Sequence, residues 1–312
     1  MTEAAVPDRL VLHPLHPPGL VPALEALAGV VVEAPPDPNG VAGALESGVS
    51  ILLTFLWEDR FLTAGLRWVQ AVSAGIEQFP AEALQEAGVR LTSARGAHAP
   101  AVAEHAVALL MAVVRGLGPA MRDVPTRGWA PRPAHEVGGI TLGVLGLGAI
   151  GEEVARKAVG LGMRVIGTKR SPDGYEGAAE RVLGPSGTLE VCREADAVVV
   201  ALPRADDTAR LVGAEELEAL RGGWLVNVGR GSVVDEEALV EALRSGVLRG
   251  AGLDVFETEP LPADSLLWDI PSVVITPHSA WSSDRLPERI AAVFEQNRRA
   301  FHGGGEWATL VV

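Results

Sequence analysis

A single cysteine, Cys192, stands in a chain of 312 residues. No intrachain disulfide is therefore possible, and the neighbours Val191 and Arg193 supply no redox motif, so a reducing cytoplasm is the natural compartment. Positive charge is also scarce: 26 Lys and Arg face 40 Asp and Glu, a formal net charge of -14. Such a balance argues against a nucleic acid or an anionic membrane as partner, while leaving room for local anion binding. The first residues, Met1 to Leu10, include Glu3 and Asp8 and lack the basic start and apolar run of an export signal. The longest strongly apolar stretch, Ala101 to Val114, contains Glu104 and His105 and is too short to cross a bilayer, so it reads as a buried helix. Internal repeats at fixed spacing and low-complexity tracts are absent as well.

What is present is 48% hydrophobic and 21% charged, the balance of a soluble α/β protein. Short β-branched runs at Arg9–Leu15, Val30–Ala34, Ile51–Phe55, Trp68–Ser73 and Val89–Thr92 alternate with helical segments such as Leu20–Ala28 and Pro80–Ala87. This predicts a small parallel sheet covered by helices. A helix over Pro100 to Leu117 leads into a Pro- and Gly-rich stretch, Gly118 to Gly139, that reads as a linker. Six further strands follow, at Thr141–Leu145, Arg164–Gly167, Ala197–Ala201, Trp224–Asn227, Gly252–Val255 and Val273–Ile275. They predict a doubly wound Rossmann domain at 98–284, inserted into a smaller flavodoxin-like α/β domain made of 1–97 and 285–312.

Gly146, Gly148 and Gly151 form a G-x-G-x-x-G pattern directly after the strand Thr141–Leu145, at the start of a helix that opens with Ala149 and Ile150. The first glycine suits a tight turn, the second lets backbone N–H groups approach a pyrophosphate, and the third lets helix pack on strand. Where an NAD enzyme commonly places a carboxylate for the ribose hydroxyl, this chain reads Thr168, Lys169, Arg170, Ser171. Two cations and two hydroxyls suit a 2′-phosphate, which favours NADP, with NAD possible through the nearby Asp173.

Ligands of open α/β sheets bind beyond the carboxyl ends of the strands. There the sequence sets Gly146, Lys169, Leu202-Pro203, Val228-Gly229-Arg230, Asp254, Glu259 and His278. Reduction of a 2-oxo acid needs a hydride donor, a cation for the substrate carboxylate and an acid for the carbonyl oxygen. Arg230, in a glycine-flanked turn, suits the second task, and His278 suits the third. Glu259 would stabilise the imidazolium and keep its proton available, and Asp254 would accept a hydrogen bond from the nicotinamide amide. Each of these residues also has an ordinary structural reading; it is their shared placement past successive strand ends that makes a site. Trp57 and Trp281 are candidates for the wall that selects substrate side chains.

These residues resemble the D-isomer-specific 2-hydroxyacid dehydrogenases, which include D-lactate, D-glycerate, glyoxylate/hydroxypyruvate and phosphoglycerate dehydrogenases. The likeness covers most of the chain: Ser73-Ala74-Gly75-Ile76, Ala101 to Glu104, the Gly146 fingerprint, Leu202-Pro203, Asn227 to Asp235, Gly252 to Pro260 and Thr276-Pro277-His278. It implies Arg230 as substrate binder, Glu259 as support for the histidine and His278 as acid and base. It further implies that backbone N–H groups near Ala74, Gly75 and Ile76 hold the substrate carboxylate, that the domains close on a hinge, and that two copies form a homodimer through the long helix and its following loop. The basic Lys169-Arg170 pair is similar to the family's NADP-using reductases, which makes a glyoxylate or hydroxypyruvate reductase giving a D-2-hydroxy acid the expected activity. A nucleotide-sensing, corepressor-like protein of the same fold is the alternative. A 3-hydroxyacid dehydrogenase would carry its fingerprint near the N-terminus and use a lysine.

Overall fold

The computed structural model describes residues 7–312; most of the N-terminal start considered above for an export signal lies outside the described residues. The chain divides into two compact units, Met1–His98 with Ser283–Val312, and Ala99–Ser282. The first begins with β1 (Asp8–Leu12), α1 (Leu20–Glu25), β2 (Val30–Glu33), α2 (Pro38–Glu46), β3 (Ile51–Thr54), β4 (Trp68–Ala71), α3 (Ala81–Glu86) and β5 (Arg90–Thr92). All five strands are parallel in the order β2-β1-β3-β4-β5, the flavodoxin-like arrangement. β3 and β4 are buried throughout, as strands covered on both faces must be. The strand expected to reach Leu15 stops at Leu12, just short of Pro14, which has no N–H for a ladder.

The second unit holds α4 (Ala99–Val114), α5 (Leu117–Asp123), β6 (Thr141–Leu145), α6 (Ala149–Gly160), β7 (Arg164–Thr168), β8 (Arg181–Leu183), α7 (Thr188–Glu194), β9 (Ala197–Val200), α8 (Ala214–Ala219), β10 (Trp224–Asn227), α9 (Glu236–Arg244), β11 (Gly250–Leu253) and β12 (Val273–Ile275). Its sheet has seven parallel strands, not the six expected. The additional β8 pairs with β7 through three residues only, too short a run to show a period in the sequence. The order β12-β11-β10-β9-β6-β7-β8 is the Rossmann order with one further strand, and it reverses between β6 and β9. Two apolar cores fill the two faces, one under α7, α8 and α9 and the other under α4 and α6. Burial pushes the Cys192 thiol up to about 12, so the lone cysteine is packing and not a nucleophile.

The expected helix from Pro100 to Leu117 and the expected linker after it are both corrected. α4 ends at Val114, Gly116 turns left-handed (φ 64°), and α5 with a 3-10 turn at Val124–Thr126 occupies the start of the supposed linker. Gly118 explains the docking of α5, since a Cβ there would come within 2.9 Å of the Val274 side chain. Among the described residues no single helix is long and apolar enough to cross a membrane.

From Ser283 the chain returns to the first unit, where α10 (Leu286–Phe301) lays Phe294 flat on Trp68 with ring centroids 4.9 Å apart. Asn297 on α10 and Thr92 on β5 both bond the buried amide oxygen of Gln70, at 2.9 and 2.7 Å, a satisfied polar knot that fixes where the returning helix sits. Burial also holds the His13 and His98 imidazoles below the ordinary histidine value, each with one buried ring nitrogen that finds no hydrogen-bond partner among the described residues. The unfolded chain then binds protons at higher pH than the folded chain, so this contribution is whole above the ordinary value and shrinks as pH falls below it. The urea midpoint is expected to drop between about pH 7.5 and about pH 5.5, and to drop less in His13→Asn. Equal drops in both proteins would remove His13 from the account.

Candidate active site

The glycine fingerprint sits where strand order reverses. Gly146 leaves β6 at φ 97°, and a Cβ on it would approach Leu202 Cδ2 at 2.8 Å, so the turn after β6 and the turn after β9 are in contact. A Cβ on Gly151 would lie 2.1 Å from the Gly146 carbonyl oxygen, which α6 can cross only because residue 151 has none. Gly148 differs: nothing lies within 4 Å of its absent side chain, and as N-cap of α6 it offers no side-chain cap to the first helical N–H groups. Open space before uncapped N–H groups at a helix N-terminus fits a pyrophosphate, and Ala149 and Ile150 begin that helix.

After β7, Lys169 Nζ donates to the Leu147 carbonyl at 2.7 Å and so closes over the fingerprint turn. Arg170, 75% exposed, pairs with Asp207 at 3.2 Å. The loop beyond them is held to α6 by Glu152, which accepts from the Tyr175 hydroxyl at 2.5 Å and from Ala178 N–H at 2.6 Å. Thr168, the last residue of β7, is buried and its hydroxyl accepts from Gly146 N–H at 3.2 Å.

The same logic of missing side chains draws the later strand ends together. A Cβ on Gly229 would meet the Leu202 carbonyl at 2.5 Å, bringing Val228-Gly229 against Leu202-Pro203. One on Gly231 would lie 1.8 Å from the Phe256 carbonyl carbon, so the Arg230 turn packs directly on the segment after β11. Asn227 braces that turn, donating to the Arg230 carbonyl at 3.0 Å and accepting from Gly229 N–H at 3.0 Å. Asp235 then caps α9 by accepting from Ala238 N–H at 3.1 Å.

Phe256 N–H in turn donates to Glu259 Oε1 at 3.0 Å, and the other carboxylate oxygen, Oε2, lies 2.7 Å from His278 Nδ1. With one oxygen held by the backbone and one by the imidazole, the carboxylate sets the ring's orientation and directs Nε2 away from the pair. Both groups keep solvent access, 45% for the histidine side chain and 35% for the glutamate.

Asp254 is only 1% exposed. Its Oδ1 accepts from the Thr276 hydroxyl at 2.6 Å and Ser279 N–H at 2.9 Å, and its Oδ2 from Ala280 N–H at 3.0 Å. Of about four acceptor positions on a carboxylate, one on Oδ2 is left for the amide acceptor role expected from sequence. The residue's chief visible work is to hold the loop that carries His278. Trp281 lies just past that loop and is exposed. In the other unit, Ala74, Gly75 and Ile76 follow β4, in a turn where the Ser73 hydroxyl bonds the Gly75 carbonyl at 2.6 Å and Gln78 bonds Ser73 at 3.2 Å. Trp57 belongs to that unit too, in edge contact with Phe61 at 6.1 Å, and reads as packing.

Sequence reasoning gave no role of their own to Asn227, Asp207, His105 and Thr276. Asn227 had a signal, the run Asn227-Val228-Gly229-Arg230-Gly231, whereas the pairings of Asp207 and His105 are long-range and leave none.

A dinucleotide cradle at the switch point and a carboxylate-braced imidazole beyond later strands of the same sheet define a nicotinamide-dependent oxidoreductase. The sequence model described as the D-isomer specific 2-hydroxyacid dehydrogenase NAD binding domain matches residues 107–280. The chain is 35% identical over 287 residues to a glyoxylate reductase of Korarchaeum cryptofilum, covering 87% of this chain and 85% of that one. It is 34% identical over 263 residues to glyoxylate/hydroxypyruvate reductase B of Yersinia pestis, covering 82% and 79%. The crystal structure of an NADPH-dependent glyoxylate/hydroxypyruvate reductase from Sinorhizobium meliloti, in complex with citrate, superposes with TM-score 0.81 at 27% identity over 98% of both chains. The chain belongs to the D-isomer-specific 2-hydroxyacid dehydrogenase family.

Proposed function

We propose that this chain reduces a small 2-oxo acid of the glyoxylate or hydroxypyruvate kind to the D-2-hydroxy acid, with NADPH as its preferred reductant. The observation that carries the reading is the Glu259–His278 pair, set past the strand ends of the sheet that begins with the glycine fingerprint. Relatives that are glyoxylate or hydroxypyruvate reductases support the substrate class. The sensing alternative draws no support from them.

When bound, the nicotinamide supplies the hydride. His278 Nε2 delivers the proton to the carbonyl oxygen as negative charge develops there, while Glu259 stabilises the imidazolium at Nδ1. Arg230 binds the substrate carboxylate and polarises the carbonyl. One hydride and one proton added to the oxo acid give the hydroxy acid and the oxidised cofactor. Gly146, Gly148, Ala149, Ile150 and Gly151 would hold the pyrophosphate, Leu202, Pro203, Val228 and Gly229 would line the cofactor, and Asp254 would accept from the amide. Trp281 is assigned to the side-chain pocket.

Steady-state oxidation of NADPH and NADH with a panel of 2-oxo acids tests the reading: turnover of the short oxo acids is expected, and tight nucleotide binding with no turnover on any of them would overturn it. The cofactor part rests on Lys169 and Arg170 as ligands of the 2′-phosphate. Lys169→Asp with Arg170→Ala is expected to lower the NADPH/NADH preference roughly tenfold or more, the scale of one or two charge-assisted hydrogen bonds. An unchanged ratio would refute the phosphate site.

The reading includes a homodimer. α5 and the turn and loop after it expose Met121, Val124 and Trp129, the last at 95%, apolar side chains that a second copy would cover. Sedimentation equilibrium giving the monomer mass would overturn it. A cytoplasmic location, consistent with a lone buried thiol, would fall if fractionation recovered the chain elsewhere.

A further inference from the structure

A chain of hydrogen bonds runs through the second unit from α4 to the loop that carries His278. His105 Nε2 lies 2.8 Å from Thr276 Oγ1 and 3.5 Å from Asp254 Oδ1, and Thr276 Oγ1 lies 2.6 Å from the same Oδ1. A hydroxyl has one proton and a carboxylate accepts, so Thr276 donates to Asp254 and receives the Nε2–H of His105. That fixes the tautomer of His105 and the rotor of Thr276 together. Asp254 passes the constraint on to Ser279 and Ala280 through their N–H groups, and its backbone carbonyl accepts from His278 N–H at 2.8 Å.

The backbone so bonded needs holding. His278 has φ 48°, a left-handed conformation that costs a residue with a Cβ free energy and persists only where its surroundings over-determine it. The reach of His105 is likewise built in. A Cβ on Gly252 would meet Leu109 Cβ at 2.8 Å, so α4 lies as close to β11 as a glycine permits, and His105 is one turn before Leu109 on the same face.

We propose that His105 and Thr276 are positioning residues for the reaction: touching neither substrate nor cofactor, they lock Asp254 and thereby the left-handed His278 at the angle from which Nε2 delivers its proton. The inference rests on the reading of His278 as the acid.

The test compares shape-preserving variants that remove a hydrogen bond with variants that keep it. His105→Phe and Thr276→Val are each expected to lower kcat about tenfold, since small misplacements of a reacting group cost up to about a hundredfold, while the KM for the oxo acid, whose carboxylate is assigned to Arg230, stays within about twofold. His105→Gln and Thr276→Ser, which retain a donor and a hydroxyl, should recover most of the loss. Because both act on the one Asp254 carboxylate, the loss in the double variant should be smaller than the product of the two single losses. Multiplicative losses, equal losses in Phe and Gln variants, or full kcat in His105→Phe would each overturn the relay, and the His105 pair keeps the test open if Thr276→Val does not fold. Full turnover in His278→Gln would instead remove the acid itself, whereas its loss there with full turnover in His105→Phe and Thr276→Val removes only the positioning role.

Discussion

Replacing His278 by glutamine is expected to lower kcat for oxo-acid reduction between about a hundredfold and about ten-thousandfold, the range for loss of a general acid, with NADPH affinity changed little. Glutamine keeps a hydrogen-bonding amide of similar reach but has no proton to give near neutral pH. The backbone at residue 278 is left-handed, φ 48°, which asparagine and histidine tolerate better than most residues, so His278→Asn controls for backbone strain. If the loss is chemical, Gln and Asn variants fall together and both still quench or enhance bound NADPH fluorescence as the unsubstituted protein does. If glutamine alone fails and asparagine retains turnover, the histidine serves the backbone and not the proton. Glu259 makes a matched prediction of smaller size. Because its Oε1 is held by Phe256 N–H, Glu259→Gln keeps that bond but turns an NH2 toward His278 Nδ1, so the charge is lost and the bond to the ring reverses direction. Its kcat should fall less than that of His278→Gln, and an equal fall would assign the carboxylate a direct part.

What was legible in the sequence was whatever repeats locally. The runs that became β3, β4 and β9 are short, apolar and bounded, and the pattern after β6 names its own geometry, because Gly146 and Gly151 sit where a Cβ would strike Leu202 and the Gly146 carbonyl. β8 was not legible: Arg181–Leu183 gains its strand character from pairing with β7, not from its three side chains. α5 was hidden by Gly116, Gly118 and Pro119, residues that read as a linker until the docking of Gly118 on Val274 is seen. Glu259 and His278 were placed past strand ends and expected to pair, and the structure sets Glu259 Oε2 2.7 Å from His278 Nδ1. Asp254 shows the limit most clearly. Its position past β11 suggested a ligand to cofactor, but the three donors that fill most of its carboxylate come from Thr276, Ser279 and Ala280, more than twenty positions away.

The cofactor site yields a sharper contrast from two glycines three residues apart. Gly148 has nothing within 4 Å of its absent Cβ and an ordinary negative φ of -93°, so the protein itself has no objection to alanine there. The only body the methyl group of Gly148→Ala would meet is a ligand drawn close to the α6 N-terminus. Its thermal midpoint is therefore expected to match that of the unsubstituted chain without nucleotide, while its NADPH dissociation constant rises about tenfold or more, the loss of one or two good contacts. Gly151→Ala is different in kind. Its Cβ would lie 2.1 Å from a backbone oxygen, so α6 must back away from the β6 turn, costing stability of about 1–3 kcal/mol as well as affinity. Melting and nucleotide titration together separate the two: affinity lost without stability in one, both lost in the other. Unchanged NADPH binding in Gly148→Ala would place the pyrophosphate elsewhere, and with it the hydride that the Glu259–His278 pair is built to accompany.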